Sequence, residues 1–215
     1  MAQADYSTLL FLNPPTASGP TYLVKQGFEG TGYDNSETWT ENASPNEDYA
    51  TAPAPLVGSQ SWQTAAIGGE AYRNYTANDE VWAYGICNIQ TLANNRIIFA
   101  IRNSSDSGLV NIKCNADGSM SMVNFATTVN TSAGLISNGT TFHIWVHYIK
   151  GTGANSTGEL YVSANDTKPG SPQATTSVAG STTQASRVAV MGWNDGNFIW
   201  DKVRVDDVTI GSAPE

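Results

Sequence analysis

Charged side chains are scarce in this sequence. Only 13% of its 215 residues are charged, about half of the ~25% that is usual for globular proteins. Lys and Arg together number 10 against 19 Asp and Glu, which gives a formal net charge of −9. So acidic a chain is poorly suited to phosphates or anionic membranes, and we expect no nucleic-acid partner and no membrane partner. Neutral glycans and protein surfaces remain, and a local basic patch around Arg96, Arg102 and Lys113 is the one route to an anionic polysaccharide.

Long apolar runs are absent, and cysteines are few. No segment approaches the ~18 apolar residues of a membrane helix. The first residues have neither a basic segment nor an apolar core, which predicts synthesis without a signal peptide. The two cysteines, Cys87 and Cys114, lie in segments predicted to be strands. A cross-strand disulfide is open to them, but a pair of small buried thiols is the simpler prediction.

The sequence is rich in short alternating segments separated by turn residues. Thr, Val and aromatic residues are plentiful in these segments, and Asn94-Asn95, Asp117-Gly118 and Asn138-Gly139 are turn formers between them. No segment combines helical periodicity with caps. The pattern predicts an all-β fold, a β-sandwich or barrel. The predicted strands are residues 22–29, 58–65, 80–89, 96–103, 108–115, 119–126, 142–149, 158–164, 187–193 and 198–210.

Composition divides the chain into an arm and a domain. Residues 1–23 carry one charge, Asp5, and their prolines and glycine favour an extended path. Residues 24–215 are predicted to form one sandwich domain, with long loops at 31–57 and 165–186. An uncharged arm could cover an edge of its own domain or dock on a partner, and both alternatives stay open.

Several stretches resemble strands of the concanavalin A-like (laminin G-like) jelly-roll superfamily. Residues 56–62, Leu-Val-Gly-Ser-Gln-Ser-Trp, are similar to its early strand, and residues 81–86, Val-Trp-Ala-Tyr-Gly-Ile, to its aromatic second strand. Residues 142–148 followed by 159–162, Glu-Leu-Tyr-Val, are similar to its W-x-x-V … L-Y-V hairpin. The resemblance covers residues 24–212 and implies an antiparallel jelly-roll β-sandwich. It implies no single function, because this fold hosts lectins, enzymes and structural modules.

The catalytic motifs of enzymes in this superfamily are missing. Its glucanases carry E-x-D-x-E or E-x-D-x-x-E on one strand, whereas Glu80 and Glu159 here have no carboxylate two residues later. Its polysaccharide lyases use Arg, Gln-x-His and Tyr, and no Gln-x-His occurs here. The only histidines, His143 and His147, would lie about 13 Å apart on one strand, too far to share a metal. The sequence therefore predicts that the protein is not an enzyme.

Exposed aromatic residues beside polar side chains are the candidate glycan-binding residues. Sugar faces are apolar and their rims need hydrogen-bonding groups. The candidates are Tyr33, Trp39 and Tyr49 in the first long loop and Trp193, Asn194 and Asp195 in a later turn. That turn also suits a plain hairpin connection. Trp145, between the two histidines, is either packed under a loop on a half-exposed strand or part of a concave platform on which a sugar ring could stack.

The last predicted strand places a carboxylate inside an apolar stripe. Side chains alternate along a strand, so Asp201 shares a face with Ile199, Val203 and Val205. Burying an unpaired carboxylate is costly, and Asp201 therefore requires a cation or several hydrogen-bond donors.

Many jelly-roll modules that this chain resembles hold a structural calcium ion with an acidic pair from their first and last strands. The resemblance implies Glu29, Gly30 and Asp201 as ligands of such a structural Ca²⁺, because calcium binds carboxylate and carbonyl oxygens. Without an ion, Asp201 would pair with Lys25, Arg204 or backbone amides.

Together, these features predict a non-catalytic jelly-roll protein on the surface of a large assembly. The prediction is a bacteriophage or virus capsid decoration or fibre-like protein with weak affinity for glycans. Residues 1–23 would contact other virion or assembly proteins, and we expect an oligomer. The alternative is a stand-alone carbohydrate-binding lectin domain, followed by a polysaccharide-degrading enzyme. The predicted location is a virion or particle surface, with extracellular export by a non-classical route as the alternative.

Overall fold

The structure is a computed structural model that describes residues 21–29, 33, 37–42, 47–48, 55–64, 69–194 and 203–214. Within these ranges the chain forms strands and no helix, and hence no helix long and apolar enough to span a membrane. The strands are β1 (Tyr22–Gln26), β2 (Thr40–Asn42), β3 (Glu47–Asp48), β4 (Trp62–Gln63), β5 (Glu70–Asn78), β6 (Glu80–Ile89), β7 (Arg96–Arg102), β8 (Gly108–Cys114), β9 (Met120–Asn124), β10 (Thr127–Asn130), β11 (Thr141–Ile149), β12 (Ser156–Ser163), β13 (Ala174–Ala179), β14 (Ala185–Asn194) and β15 (Val203–Gly211).

These strands form two antiparallel sheets that pack face to face. The front sheet has the order β13-β12-β11-β6-β15-β4-β3, and β1 also pairs with β15. The back sheet has the order β10-β9-β8-β7-β14-β5-β2. The all-β fold predicted from the alternating pattern and the antiparallel sandwich implied by the resemblance are therefore both confirmed.

The core lies between the sheets because each strand turns alternate side chains inward. Its largest fully buried members include Trp62, Tyr148 and Phe99, and each such side chain contributes about 1.5–3 kcal/mol by leaving water. Val203 and Val205 point into it, as their predicted face requires.

The two cysteines are buried free thiols in this core, as the simpler prediction had it. Burial, and then the neighbouring Cys114, raises the pKa of Cys87 far above its ordinary value. Both thiols are therefore inert packing groups.

The expectations about long loops are corrected. Residues 31–57 contain β2 and β3. Residues 165–186 contain β13, which pairs with β12, where Leu160 faces Ala174. Strand β5 was not predicted, since Arg73, Asn74 and Thr76 interrupt any apolar alternation along it. It is held in the back sheet by pairing with β14 instead.

Strand β15 organises the front sheet. One edge pairs with β6, and the other edge is shared between β4 and β1. A register shift between Asp206 and Thr209 interrupts its pairing with β6, and Asp207 there has a φ of 49°. This irregularity sets the position of the Asp206 carboxylate.

Candidate functional site

The outer face of the front sheet, turned away from the core, is the candidate site. It is named the outer front face below. Its residues on the central strands are Glu80, Trp82, Tyr84, Ile86 and Asn88 of β6, His143, Trp145 and His147 of β11, Glu159 and Tyr161 of β12, and Arg204 and Asp206 of β15.

An aromatic row crosses the middle of the outer front face. Trp145 is the register partner of Tyr84 on one side and of Tyr161 on the other. The rings of Tyr84 and Trp145 have centroids 5.1 Å apart. Trp145 is only 1% exposed, so the alternative of a buried tryptophan is the correct one for this residue. Trp82, one row along, is half-buried and the most accessible ring of the group.

A histidine bridges two carboxylates beside this row. His147 stacks on Trp82 with centroids 3.9 Å apart and an interplanar angle of 9°. Its Nδ1 lies 3.0 Å from Oε2 of Glu159, and its Nε2 lies 2.9 Å from Oε1 of Glu80. A carboxylate oxygen accepts hydrogen bonds, so the imidazole faces an acceptor at each of its two ring nitrogens.

Glu159 is the most heavily contacted carboxylate of this face. The hydroxyl of Tyr161 donates to its Oε2 at 2.9 Å. Burial raises the pKa of Glu159, but hydrogen bonds from His147 and Tyr161 and the charges of His147 and Lys168 outweigh it and leave the pKa below its ordinary value. Burial and the same hydrogen bond raise the pKa of Tyr161 to about 12. Glu159 is therefore anionic and Tyr161 is protonated across the physiological range.

At the other end of the face, a histidine meets a tyrosine. The hydroxyl of Tyr84 lies 2.8 Å from Nδ1 of His143. Burial lowers the pKa of His143, and the charges of Asp166 and Asp207 oppose this effect. The pair can hold or pass one proton. His143 and His147 have separate partners, and the described residues contain no group of three or more metal-ligating side chains.

Residues 55–61, named the strap below, lie along the outer front face and are fastened by two carboxylates. Oδ2 of Asp206 accepts from the backbone N–H of Val57 at 3.0 Å and from Oγ of Ser61 at 2.8 Å. Burial raises the pKa of Asp206 to about 7, against these hydrogen bonds. The carboxylate of Glu29 accepts from the backbone N–H of Ser59 at 2.9 and 3.0 Å.

The hydrogen bonds to Glu29 bear on the predicted calcium ligands. Its two oxygens face donors on the strap, so the described part of that site is arranged for N–H and O–H groups. Gly30 and Asp201 lie outside the described residues, and the structural Ca²⁺ stays a prediction. A buried carboxylate that has several donors does occur in the last strand, at Asp206.

The predicted glycan-binding residues are not gathered on the outer front face. Trp39 is 6% exposed and packs in the core against Phe28 and Tyr33. The expectation that Trp39 is an exposed loop residue is thus corrected, because the first loop folds its aromatic rings onto one another. Tyr33 is half-buried and stacks on Trp39 at 5.7 Å.

The other members of that set lie beyond what the structure describes. Tyr49 and Asp195 are outside the described residues. Trp193 and Asn194 end strand β14, where the backbone alone is described. Their role in binding glycans stays a prediction.

A second polar cluster lies on the outer face of the back sheet. Nη1 of Arg102 donates to Glu70 at 2.6 Å and to Asp106 at 2.8 Å. Nη1 of Arg187 donates to the same Asp106 oxygen at 2.6 Å, and its guanidinium lies 4.1 Å above the Tyr72 ring. A cavity of about 260 Å³ adjoins the cluster. The charges of two guanidinium groups and two carboxylates balance one another in this cluster.

Sequence reasoning missed the main residues of the outer front face. Trp82 and Tyr84 alternate with Val81 and Ala83, so the segment is apolar on both faces. Strands that are apolar on both sides are typically covered on both faces. Apolar residues on both sides of β6 could therefore have identified the outer front face as an unusually aromatic surface. Lys168 offered none, because it reaches the face from a loop.

Proteins of known structure share this fold. The sequence matches no family model, and it matches no curated protein. An endo-β-1,4-glucuronan lyase from the fungus Trichoderma reesei matches with a TM-score of 0.60 and 11% identity over 90% of this chain and 96% of that one. The cellulose induced protein Cip1 matches with a TM-score of 0.59 and 15% identity over 89% and 98%.

A sialidase also matches, with a TM-score of 0.54 and 13% identity over 77% of this chain. The chain spans only 17% of that sialidase. Identities this low establish the fold alone. The chain is an all-β jelly-roll sandwich.

Proposed function

We propose that this protein is a non-catalytic carbohydrate-binding module whose binding surface is the outer front face. The observation that carries the proposal is the half-buried indole of Trp82 beside a buried aromatic row of Tyr84, Trp145 and Tyr161. A sheet face turned to solvent is ordinarily polar. Apolar rings bordered by a few hydrogen-bonding groups suit the faces and rims of sugars. Trp82 is the residue that a sugar ring would contact first.

The solved structures of this fold add support. Two of them are named for activity on sugars, a glucuronan lyase and a sialidase. One fold hosts many functions, so the proposal depends on the residues of the outer front face more than on this likeness.

The absence of catalysis is part of the proposal. Hydrolysis by a retaining or inverting mechanism uses two carboxyl groups, one on each side of the scissile bond. Glu80 and Glu159 are both hydrogen-bonded to His147, which lies between them. Neither carboxylate is placed to protonate a leaving group or to attack a sugar.

A second candidate function, β-elimination on a uronate chain, is favoured by one contact. Tyr84 and His143 lie within hydrogen-bonding distance, and such a pair can remove a proton from the sugar and return one to the leaving oxygen. Incubation with glucuronan would test it by the ultraviolet absorbance of the unsaturated product. Product that disappears in Tyr84→Phe would establish this function, and absence of product with the intact protein would exclude it for that polymer.

Binding is tested with one aromatic substitution on each sheet. Trp82→Ala should weaken binding to soluble polysaccharides in calorimetry by about tenfold or more, because the accessible ring of the face is lost. Tyr72→Ala is the matched control, since Tyr72 is a half-buried aromatic residue on the outer face of the back sheet. Equal affinities for the two variants would contradict the proposed surface.

Attachment to a larger particle, such as a virion, through residues 1–23 belongs to the same proposal. The support is compositional, since this segment has one charge and several prolines. Light scattering of the full chain and of a variant without residues 1–23 tests it. Oligomers that depend on the segment would support attachment, and a monomer in both cases would contradict it.

A further inference from the structure

An ammonium group already lies against the aromatic side chains of the outer front face. Nζ of Lys168 is 3.8 Å from the centroid of the Tyr161 ring and 5.4 Å from that of Trp82. It also donates to the carbonyl oxygen of Pro169 at 3.2 Å. Both ring distances fall within the range of cation–π attraction. Trp82 and Tyr161, together with Glu159, are named the ammonium pocket below.

Carboxylates lie beside this pocket, because Glu80 and Glu159 flank His147. Lys168 supplies a positive charge next to them, and its field contributes to the low pKa of Glu159. Among the described residues, Oε1 of Glu159 has no hydrogen-bond partner. An ammonium group in the pocket therefore has a free acceptor beside it.

The cation that fills the pocket comes from a loop. Lys168 lies between β12 and β13, where residues 164–167 are exposed. A lysine ammonium is carried on a flexible four-carbon stem. It can withdraw into water without any change in the strands that carry Trp82, Glu159 and Tyr161.

We propose that the ammonium pocket receives the protonated amino group of an amino-sugar unit, which displaces Lys168. This inference rests on the proposed carbohydrate-binding function. The ligand is a glycan rich in glucosamine-type residues with free amino groups. Its ammonium replaces that of Lys168, so the charge balance and the cation–π contacts are both retained.

Other sugars lack this match. A neutral sugar that displaced Lys168 would remove the ammonium group next to the partly buried Glu159 without replacing its charge, which is unfavourable. A uronate would add a negative charge close to Glu80 and Glu159. The negative charges around the pocket would therefore repel a uronate chain.

The experiment compares three oligomers of equal length by calorimetry in mildly acidic buffer. They are a glucosamine oligomer, its fully N-acetylated form and a glucuronate oligomer. The wild-type protein should bind the glucosamine oligomer at least about tenfold more tightly than the acetylated form. Lys168→Met should strengthen binding of the glucosamine oligomer about threefold or more, because an internal competitor is removed. Glu159→Gln should weaken it about tenfold.

Lys150→Met is the matched control, since Lys150 pairs with Asp79 away from the pocket. It should leave affinity unchanged, and circular dichroism would verify that each variant is folded. Equal binding of the acetylated and free-amine oligomers, with loss in Trp82→Ala, would overturn this inference and leave the proposed function standing. Weaker binding in Lys168→Met would show that Lys168 is itself a contact and would also overturn it. No binding of any oligomer would overturn both.

Discussion

The two outer faces of the sandwich accommodate buried polar groups in different ways. On the back sheet, Arg102 and Arg187 are both strand residues, and they meet Glu70 and Asp106 in a closed set of ion pairs. On the outer front face, the polar groups lie among aromatic rings, and one of the cations, Lys168, comes from a loop. A cluster whose cations are fixed on strands stabilises the fold. A cluster whose charge balance depends on a loop residue can exchange that residue for a ligand.

Removing a guanidinium from the back cluster should have the largest effect. Arg102→Ala leaves the Glu70 carboxylate, whose side chain is 7% exposed, without its closest cation. Breaking a buried pair by deleting one partner costs about 3–5 kcal/mol, so we expect the free energy of unfolding in urea to fall by about 3 kcal/mol. Lys150→Ala, which breaks an exposed pair with Asp79, should change it little. Equal effects of the two substitutions would show that the back cluster does not stabilise the fold.

A methyl group added to the strap at Gly58 should lower the free energy of unfolding by a smaller amount, with local effects confined to the front sheet. Gly58 has a φ of +61°, and a Cβ there would lie 1.6 Å from Oε1 of Glu29. Gly58→Ala should destabilise the protein by about 1–2 kcal/mol and speed amide hydrogen exchange at Val57 and Ser59. Gly153→Ala is the control, because a Cβ there meets nothing within 4 Å. Unchanged exchange at Ser59 would show that Glu29 does not hold the strap.

The third expected effect is a pH dependence of stability that originates from Asp206 on the outer front face. The folded pKa of Asp206 is about 7, above its ordinary 3.8, so the folded state binds the proton more tightly than the unfolded state. Its contribution to stability is complete below the unfolded pKa and is lost as the pH rises through about 7. The loss is at most about 1.4 kcal/mol per pH unit.

Asp206→Asn should remove this component. The stability of the wild type relative to the variant should therefore be greatest in acid and should fall towards neutral pH. Urea unfolding at a series of pH values measures it. Parallel pH profiles for the two proteins would mean that Asp206 does not titrate in this range.

Local patterns in the sequence predicted the sandwich and the direction of its core. The alternation that placed Val203 and Val205 on one face is confirmed, since both are fully buried. Period-two alternation is a local property, and it survives whichever strands pair. The register shift in β15 depends instead on its pairing with β6. The alternation of side chains along the sequence therefore could not predict that Asp206 is buried beside Asp207.

The outer front face depends on the register between distant strands. His143 meets Tyr84 because β11 pairs with β6 in the register that sets Trp145 opposite Tyr84. Nothing near either residue in the sequence specifies that register. Trp39 differs, because its burial depends on residues close to it in the sequence: Phe28 and Tyr33 pack against its ring. Loop composition alone predicted exposure, and that prediction is wrong for this residue.

The pairing of β15 has a consequence for how the chain is made. Tyr22 pairs with Gly211, and Trp62 pairs with Val205. The segments that complete this edge of the front sheet are thus brought together only after nearly all of the described chain has left the ribosome. The back-sheet strands β7 to β10 are consecutive and can pair as they emerge. During synthesis, the back sheet can therefore begin to form while Trp62 still lacks its pairing partner Val205, and the incomplete front sheet is most prone to aggregation in that period.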